Sequence, residues 1–166
     1  VFQALVRGDL DVRQGEVHLL LGENGAGKST LMKIAAGMIR PDGGEMAWRG
    51  SQVEFRNPAE AQRAGIAMVH QESLLAPHLT VAENVWLGRE PANRWGLLKR
   101  GEVESATRRL IEEHGFPLQP EWRVERLGPA GRQLVEICRA VAHEASLLIF
   151  DEPTSAQSGH ESGEVL

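Results

Sequence analysis

Cysteine is nearly absent: Cys138 is the only one in 166 residues, so no internal disulfide framework exists and a reducing compartment suits the chain. Long apolar runs are missing too. The longest, residues 17–21 and 145–150, are far too short to span a bilayer, and the mean hydropathy is −0.28. Any membrane role is therefore expected to be peripheral. There is no basic excess either: 18 Lys+Arg against 23 Asp+Glu leave a net charge of −5 and a pI near 5.7. That balance disfavours sequence-independent nucleic-acid binding, which needs a basic footprint. No signal-peptide pattern opens the chain, and no repeat or low-complexity stretch interrupts it. What is present is 42% hydrophobic and 25% charged residues, enough for one globular domain with a core. Without an initiator Met, and with Glu164-Val165-Leu166 as its last residues, the chain is expected to be a fragment.

The element pattern alternates strands and helices. Residues 17–21, introduced by Gly15 and stopped by Gly22, read as a strand buried on both faces. A helix is expected over residues 28–38, with Gly37 near its end and Pro41 beyond it. Residues 45–48 and 52–55 flank Arg49-Gly50-Ser51 as a hairpin, and Asn57-Pro58 caps a short helix to about Ala64. A second buried strand is expected at residues 66–69. From about Leu74 to Ala142 the chain reads as largely helical: residues 81–87 after a Thr80 cap, residues 102–114, and about 132–143. A third buried strand over residues 146–150 ends at Asp151-Glu152. This order describes an α/β nucleotide-binding core with an inserted helical subdomain.

Gly22, Glu23, Asn24, Gly25, Ala26, Gly27, Lys28 and Ser29 match G-x-x-x-x-G-K-[ST] in full. Glycines let a backbone wrap a polyphosphate with its N–H groups inward, and a following helix adds the positive end of its dipole. Lys28 would reach the β/γ-phosphates and the Ser29 hydroxyl would ligate Mg²⁺. A plain glycine-rich turn is the competing reading; the apolar run before and the helix after disfavour it. The carboxylates that end the last strand fit the same chemistry, Asp151 toward the metal through water and Glu152 polarising the attacking water. Taken alone they would be only a solvated strand end.

Asp151-Glu152-Pro153-Thr154-Ser155, with residues 22–30 and Gln71, resembles the ATP-binding domain of ABC transporters over almost the whole chain. Residues 22–33, 64–72, 79–85 and 87–90 look like the first of two tandem domains in simple-sugar importers of the ribose, galactose, arabinose and xylose types; related nucleoside importers share much of the pattern. The resemblance implies a P-loop NTPase core of ABC ATPase type with a small antiparallel β subdomain and an inserted helical subdomain, truncated at both ends. The core would comprise about residues 1–73 and 144–166, the helical subdomain about 74–143. It implies ATP and Mg²⁺ as cofactors. Residues 22–30, Thr30 included, would hold the nucleotide, and Ser29, Gln71 and Asp151 would serve the metal. Glu152, Gln71 and Lys28 would be the catalytic set. Implied partners are a second ATP-binding domain on the same chain, permease subunits, and indirectly a periplasmic or extracellular sugar-binding protein, with no nucleic acid. The implied place is the cytoplasmic face of the membrane.

Residues 72–100 would receive a coupling helix from the membrane domain, although Trp86 and Trp95 are read first as core. Departures from the pattern are informative. Where the signature Leu-Ser-x-Gly-Gln is expected, the chain has Leu127-Gly128-Pro129-Ala130-Gly131, so the phosphate-binding hydroxyl is missing. Residues 155–158 lack the usual carboxylate, His160 lies too close to Glu152 to be the switch histidine, and Phe2 is a weak substitute for the adenine-stacking aromatic. The leading expectation is the ATPase of a sugar importer. The alternatives are a nucleotide-binding module that hydrolyses poorly and gates assembly, and a soluble ABC-type protein acting in DNA repair or translation.

Overall fold

The computed structural model describes residues 5, 7–23, 25–69, 75–89 and 100–151. The fold divides into two compact units, Val1–Ala67 and Met68–Leu166, the division falling within one strand.

In the first unit, helix α1 (Lys28–Ala35) starts directly from the glycine loop and ends on Gly37. Gly37 takes φ +69, and the Met38 and Ile39 amides turn back to donate to the Lys33 carbonyl. A Cβ at Gly37 would lie 2.8 Å from the Asn57 carbonyl oxygen, so only glycine lets the helix end pack against that segment. Strands β1 (Met46–Trp48) and β2 (Ser51–Val53) form the antiparallel hairpin, in register Met46 to Val53. Both residues between them have positive φ, Arg49 at 50° and Gly50 at 77°, the geometry whose twist matches a hairpin. The Trp48 indole donates to the Ala64 carbonyl at 2.9 Å, seating the hairpin on the end of α2 (Pro58–Arg63). Asn57 caps α2 through its side chain to the Glu60 amide, with proline in the first turn, as the sequence predicts.

One expectation fails here. Residues 17–21 form no strand; Val17 is 99%, Leu19 75% and Leu21 83% exposed. Arg13–Glu16 makes a turn closed by the Glu16 amide on the Arg13 carbonyl, with Gly15 at φ +79, and the chain runs on unpaired. An apolar run makes a segment suitable for a buried strand, but the ladder partner is a non-local fact. No partner is present for it among the described residues.

Strand β3 (Ile66–Val69) spans the division and pairs with β4 (Leu147–Phe150). Helices α3 (Val81–Trp86), α4 (Arg100–His114) and α5 (Pro129–Ala142) pack together in the second unit. Their core holds Val81, Val85, Ile111, Val124, Val135 and Cys138, with Trp86 packed against it, in keeping with its reading as core. Each fully buried valine contributes roughly 1.5–3 kcal/mol by leaving water. On α4 the buried positions Val103, Thr107 and Ile111 recur every four residues, one stripe of the helix. Thr80 starts α3 with a capping box: its hydroxyl accepts from the Glu83 amide, and the Glu83 carboxylate accepts from the Thr80 amide. Helix α5 starts three residues earlier than the apolar spacing suggests, because Pro129 is well placed at a first helical position.

Asn84 is fully buried and bonded to backbone at three points. Its Oδ1 accepts from the Ala76 amide at 2.8 Å, and its Nδ2 donates to the Ala76 carbonyl at 3.0 Å and the Thr80 carbonyl at 2.9 Å. The side chain thereby mimics a strand neighbour for the segment entering α3. Burial pushes the Cys138 thiol up to about 12, so it serves as a small apolar residue.

Candidate phosphate-binding site

The loop before α1 depends on two left-handed glycines, Gly25 at φ +85 and Gly27 at φ +88. The Ala26 amide donates to the Glu23 carbonyl at 3.1 Å, and the Leu31 amide donates to the Gly27 carbonyl at 2.9 Å as α1 begins. Gly27 caps α1 without a side chain, so no cap oxygen occupies the first-turn amides. A Cβ at Gly25 would meet nothing within 4 Å, so the crest of the loop is open. Backbone amides, the positive end of a helix dipole and open space together favour an anion.

Lys28 supplies the cation. Its Nζ donates to the Gly22 carbonyl at 2.6 Å and the Glu23 carbonyl at 3.0 Å, which bends the ammonium back over the loop it follows. Ser29 and Thr30 stand in the first turn of α1, partly buried. Asp151, in the second unit, closes β4; its amide donates to the Val69 carbonyl at 3.3 Å and the residue is partly buried. Asn24, Gln71 and Glu152 lie outside the described residues, as do Phe2, Trp95, His160 and residues 153–158. Among the described residues no group of three or more His, Cys, Asp or Glu gathers as a metal cage. Mg²⁺ needs no such cage, since it keeps several waters and takes few protein oxygens.

The altered signature residues have a clear local role. Gly128 is the cap residue of α5, with φ −67 and ψ 174, and offers no side-chain bond to the helix. Pro129 follows at the first helical position, and the Arg132 amide donates to the Gly128 carbonyl at 3.0 Å. A Cβ at Gly131 would sit 3.2 Å from the Leu127 Cβ, a tight approach. The stretch therefore starts a helix with backbone alone where the resemblance leads one to expect a hydroxyl.

The sequence profile that defines the ABC transporter family matches residues 5–155. The chain belongs to that family. Over 153 residues it is 54% identical to the ribose import ATP-binding protein RbsA 1 of Rubrobacter xylanophilus, a match that covers 92% of this chain and 30% of that protein. It is 50% identical, also over 153 residues, to a Rhizobium meliloti protein described as a ribose/galactose/methyl galactoside import ATP-binding protein, with the same coverage. The cassette thus spans about 30% of the length of the curated relatives it matches. A nucleotide-free ATP-binding cassette from an ABC transporter superposes with a TM-score of 0.71 at 25% identity, covering 87% of this chain and 61% of that one. The ADP conformation of another such cassette gives 0.70 at 27% identity, covering 86% and 60%. The α/β ABC-ATPase fold expected from the motifs is the fold found, and family membership carries ATP binding with it. Among the described residues no helix is long and apolar enough to cross a membrane.

Proposed function

We propose that the chain is the nucleotide-binding part of an ATPase that drives import of a simple sugar. The observation that carries this is the loop at residues 22–29: left-handed Gly25 and Gly27, a helix start with no side-chain cap, and Lys28 folded over the loop. Support for the substrate class comes from the relatives, which are import ATP-binding proteins for ribose and galactose types. In this reading residues 22–30 wrap the phosphates, and Lys28 exchanges its two carbonyl acceptors for phosphate oxygens. Mg²⁺ would be held by Ser29, Gln71 and Asp151 and would neutralise charge on the phosphates. Glu152 would orient and polarise the attacking water. Little covalent chemistry is asked of the protein; positioning and charge stabilisation do the rest. Residues of about 1–73 and 144–166 form the core in this reading, and about 74–143 the helical subdomain. A second ATP-binding domain on the same chain, permease subunits and a sugar-binding protein would complete the assembly at the cytoplasmic face of the membrane.

One observation favours a second reading, weak hydrolysis. The start of α5 carries Gly128, Pro129, Ala130 and Gly131 and presents no hydroxyl to a phosphate bound by a facing domain. Loss of one charge-assisted donor weakens such a contact by about 1.5–3 kcal/mol. The phosphate loop of this chain is untouched by that loss. Thermal unfolding with and without Mg²⁺–ATP tests the main reading: ATP raises the midpoint of the wild type, and Lys28→Ala removes the increment while leaving the nucleotide-free midpoint within a few degrees. Equal protection of both proteins would overturn the phosphate-loop assignment. A mutated signature, Gly128→Ser, separates the second reading: in the full-length protein it raises ATP turnover if the missing hydroxyl limits hydrolysis, and an unchanged rate refutes that.

A further inference from the structure

The end of α3 is held from outside by α5. The last carbonyls of a helix have no partner within it, and α3 is short. Arg139, one turn before the end of α5, donates from Nη2 to the Leu87 carbonyl at 3.4 Å. His143, the C-cap of α5, is 9% exposed, hydrogen-bonds the Val85 backbone, and sets its ring 6.3 Å from that of Trp86. On its other side the Trp86 indole donates to the Thr107 hydroxyl at 3.0 Å, and that hydroxyl donates to the Val103 carbonyl at 2.8 Å. Three helices are thus joined at one point by polar bonds within an apolar unit. The turn after His143 leads in sequence to β4 and Asp151, so the same point ties the exit of α3 to the strand carrying a candidate metal ligand.

Among the described residues, the charges that act on His143 are of one sign. Arg89, just past α3, and Arg139 on α5 both act on His143, while α4 contributes the uncharged Thr107. A proton on the imidazole would add a third cation to the two guanidinium groups that already act on it, in a buried position. We propose that Arg139 and His143 form an acid-sensitive clamp on the C-terminal end of α3, closed while the imidazole is neutral and opened by its protonation. Burial first, then Arg89 and Arg139, push His143 down to about 4, against the pull of its Val85 bond. The clamp is accordingly shut at neutral pH and opens as the pH falls toward 4.

The test uses the ¹⁵N-labelled 166-residue chain, with NMR of the His143 ring and amide exchange at Leu87 and Arg89. The Arg89 amide, which donates to the Trp86 carbonyl at 2.8 Å, reports the α3 exit directly. After correction for intrinsic exchange, its protection falls about tenfold between pH 6 and pH 4 and levels off below the ring's own midpoint. Arg89→Met removes one cation from an exposed site and moves the midpoint up. His143→Phe keeps a ring at the C-cap and abolishes the step. A step that persists in His143→Phe overturns the proposal. So does a His143 ring that titrates while protection at 87–89 stays constant, or a midpoint unmoved by Arg89→Met. These outcomes are independent of whether the chain binds ATP or which sugar is carried.

Discussion

Replacing Asn84 by alanine should destabilise the helical unit by roughly 2–4 kcal/mol. The figure follows from the bonds it makes. Asn84 is 0% exposed and its amide satisfies the Ala76 N–H, the Ala76 carbonyl and the Thr80 carbonyl. The two carbonyls keep a second donor each, the Leu79 amide for Ala76 and the Asn84 amide for Thr80. Their losses fall at the low end, about 0.5 kcal/mol apiece. The Ala76 N–H loses its acceptor in a partly buried setting, which costs about 1–3 kcal/mol. Asn84→Asp distinguishes bonding from packing: the shape is kept and the acceptor survives, but a carboxylate would face two carbonyl oxygens. That variant should be as damaged as alanine at pH 7 and recover part of the loss in acid, where a protonated carboxyl donates again. Urea unfolding is the assay. With a slope of about 2 kcal/mol per molar, the alanine midpoint drops by about 1–2 M. A shift below about 0.5 kcal/mol would refute the view that the amide carries this turn.

Gly37→Ala forces a side chain into a left-handed position 2.8 Å from the Asn57 carbonyl. It should lower the midpoint of thermal unfolding by several degrees, about 2 kcal/mol or more, and an unchanged midpoint would show that the α1 end is not packed there. The His143 titration also enters stability. Its folded value lies below 6.5, so the unfolded chain binds more protons between pH 6.5 and about 4. The contribution is complete above pH 6.5 and is lost as pH falls through that window. Its ceiling is about 3 kcal/mol, which screening reduces to roughly 1–2 kcal/mol. The urea midpoint of the wild type should therefore fall relative to that of His143→Phe as the pH drops from 7 to 4. Cys138, buried with its thiol pushed up to about 12, should resist alkylation at pH 8 in the native protein and react readily in urea. Fast native labelling would contradict its burial.

Much of the candidate site was legible because phosphate chemistry is carried by contiguous residues. The spacing from Gly22 to Ser29 dictates a tight loop leading into a helix, and the left-handed Gly25 and Gly27 and the Lys28 bonds are local consequences of it. Caps were equally readable: Asn57-Pro58 and Thr80 with Glu83 act within one turn of their own position. The start of α5 was missed because apolar spacing begins after Pro129, whereas helical geometry begins with it.

Several features that required a distant partner escaped the sequence. Residues 17–21 have the composition of a buried strand, yet stand exposed, because pairing depends on what lies alongside. Asn84 carries no sequence signal for its role, which comes from the Ala76 backbone that folding places against it. His143 and Cys138 are ordinary side chains whose proton affinities were set by burial and, for His143, by two arginines brought near it. Local chemistry was written in contiguous residues: the phosphate loop, the caps, the turns, and through its motifs the family. Tertiary structure alone decided burial, strand pairing and the fields around titratable groups, because these depend on residues far apart in the chain.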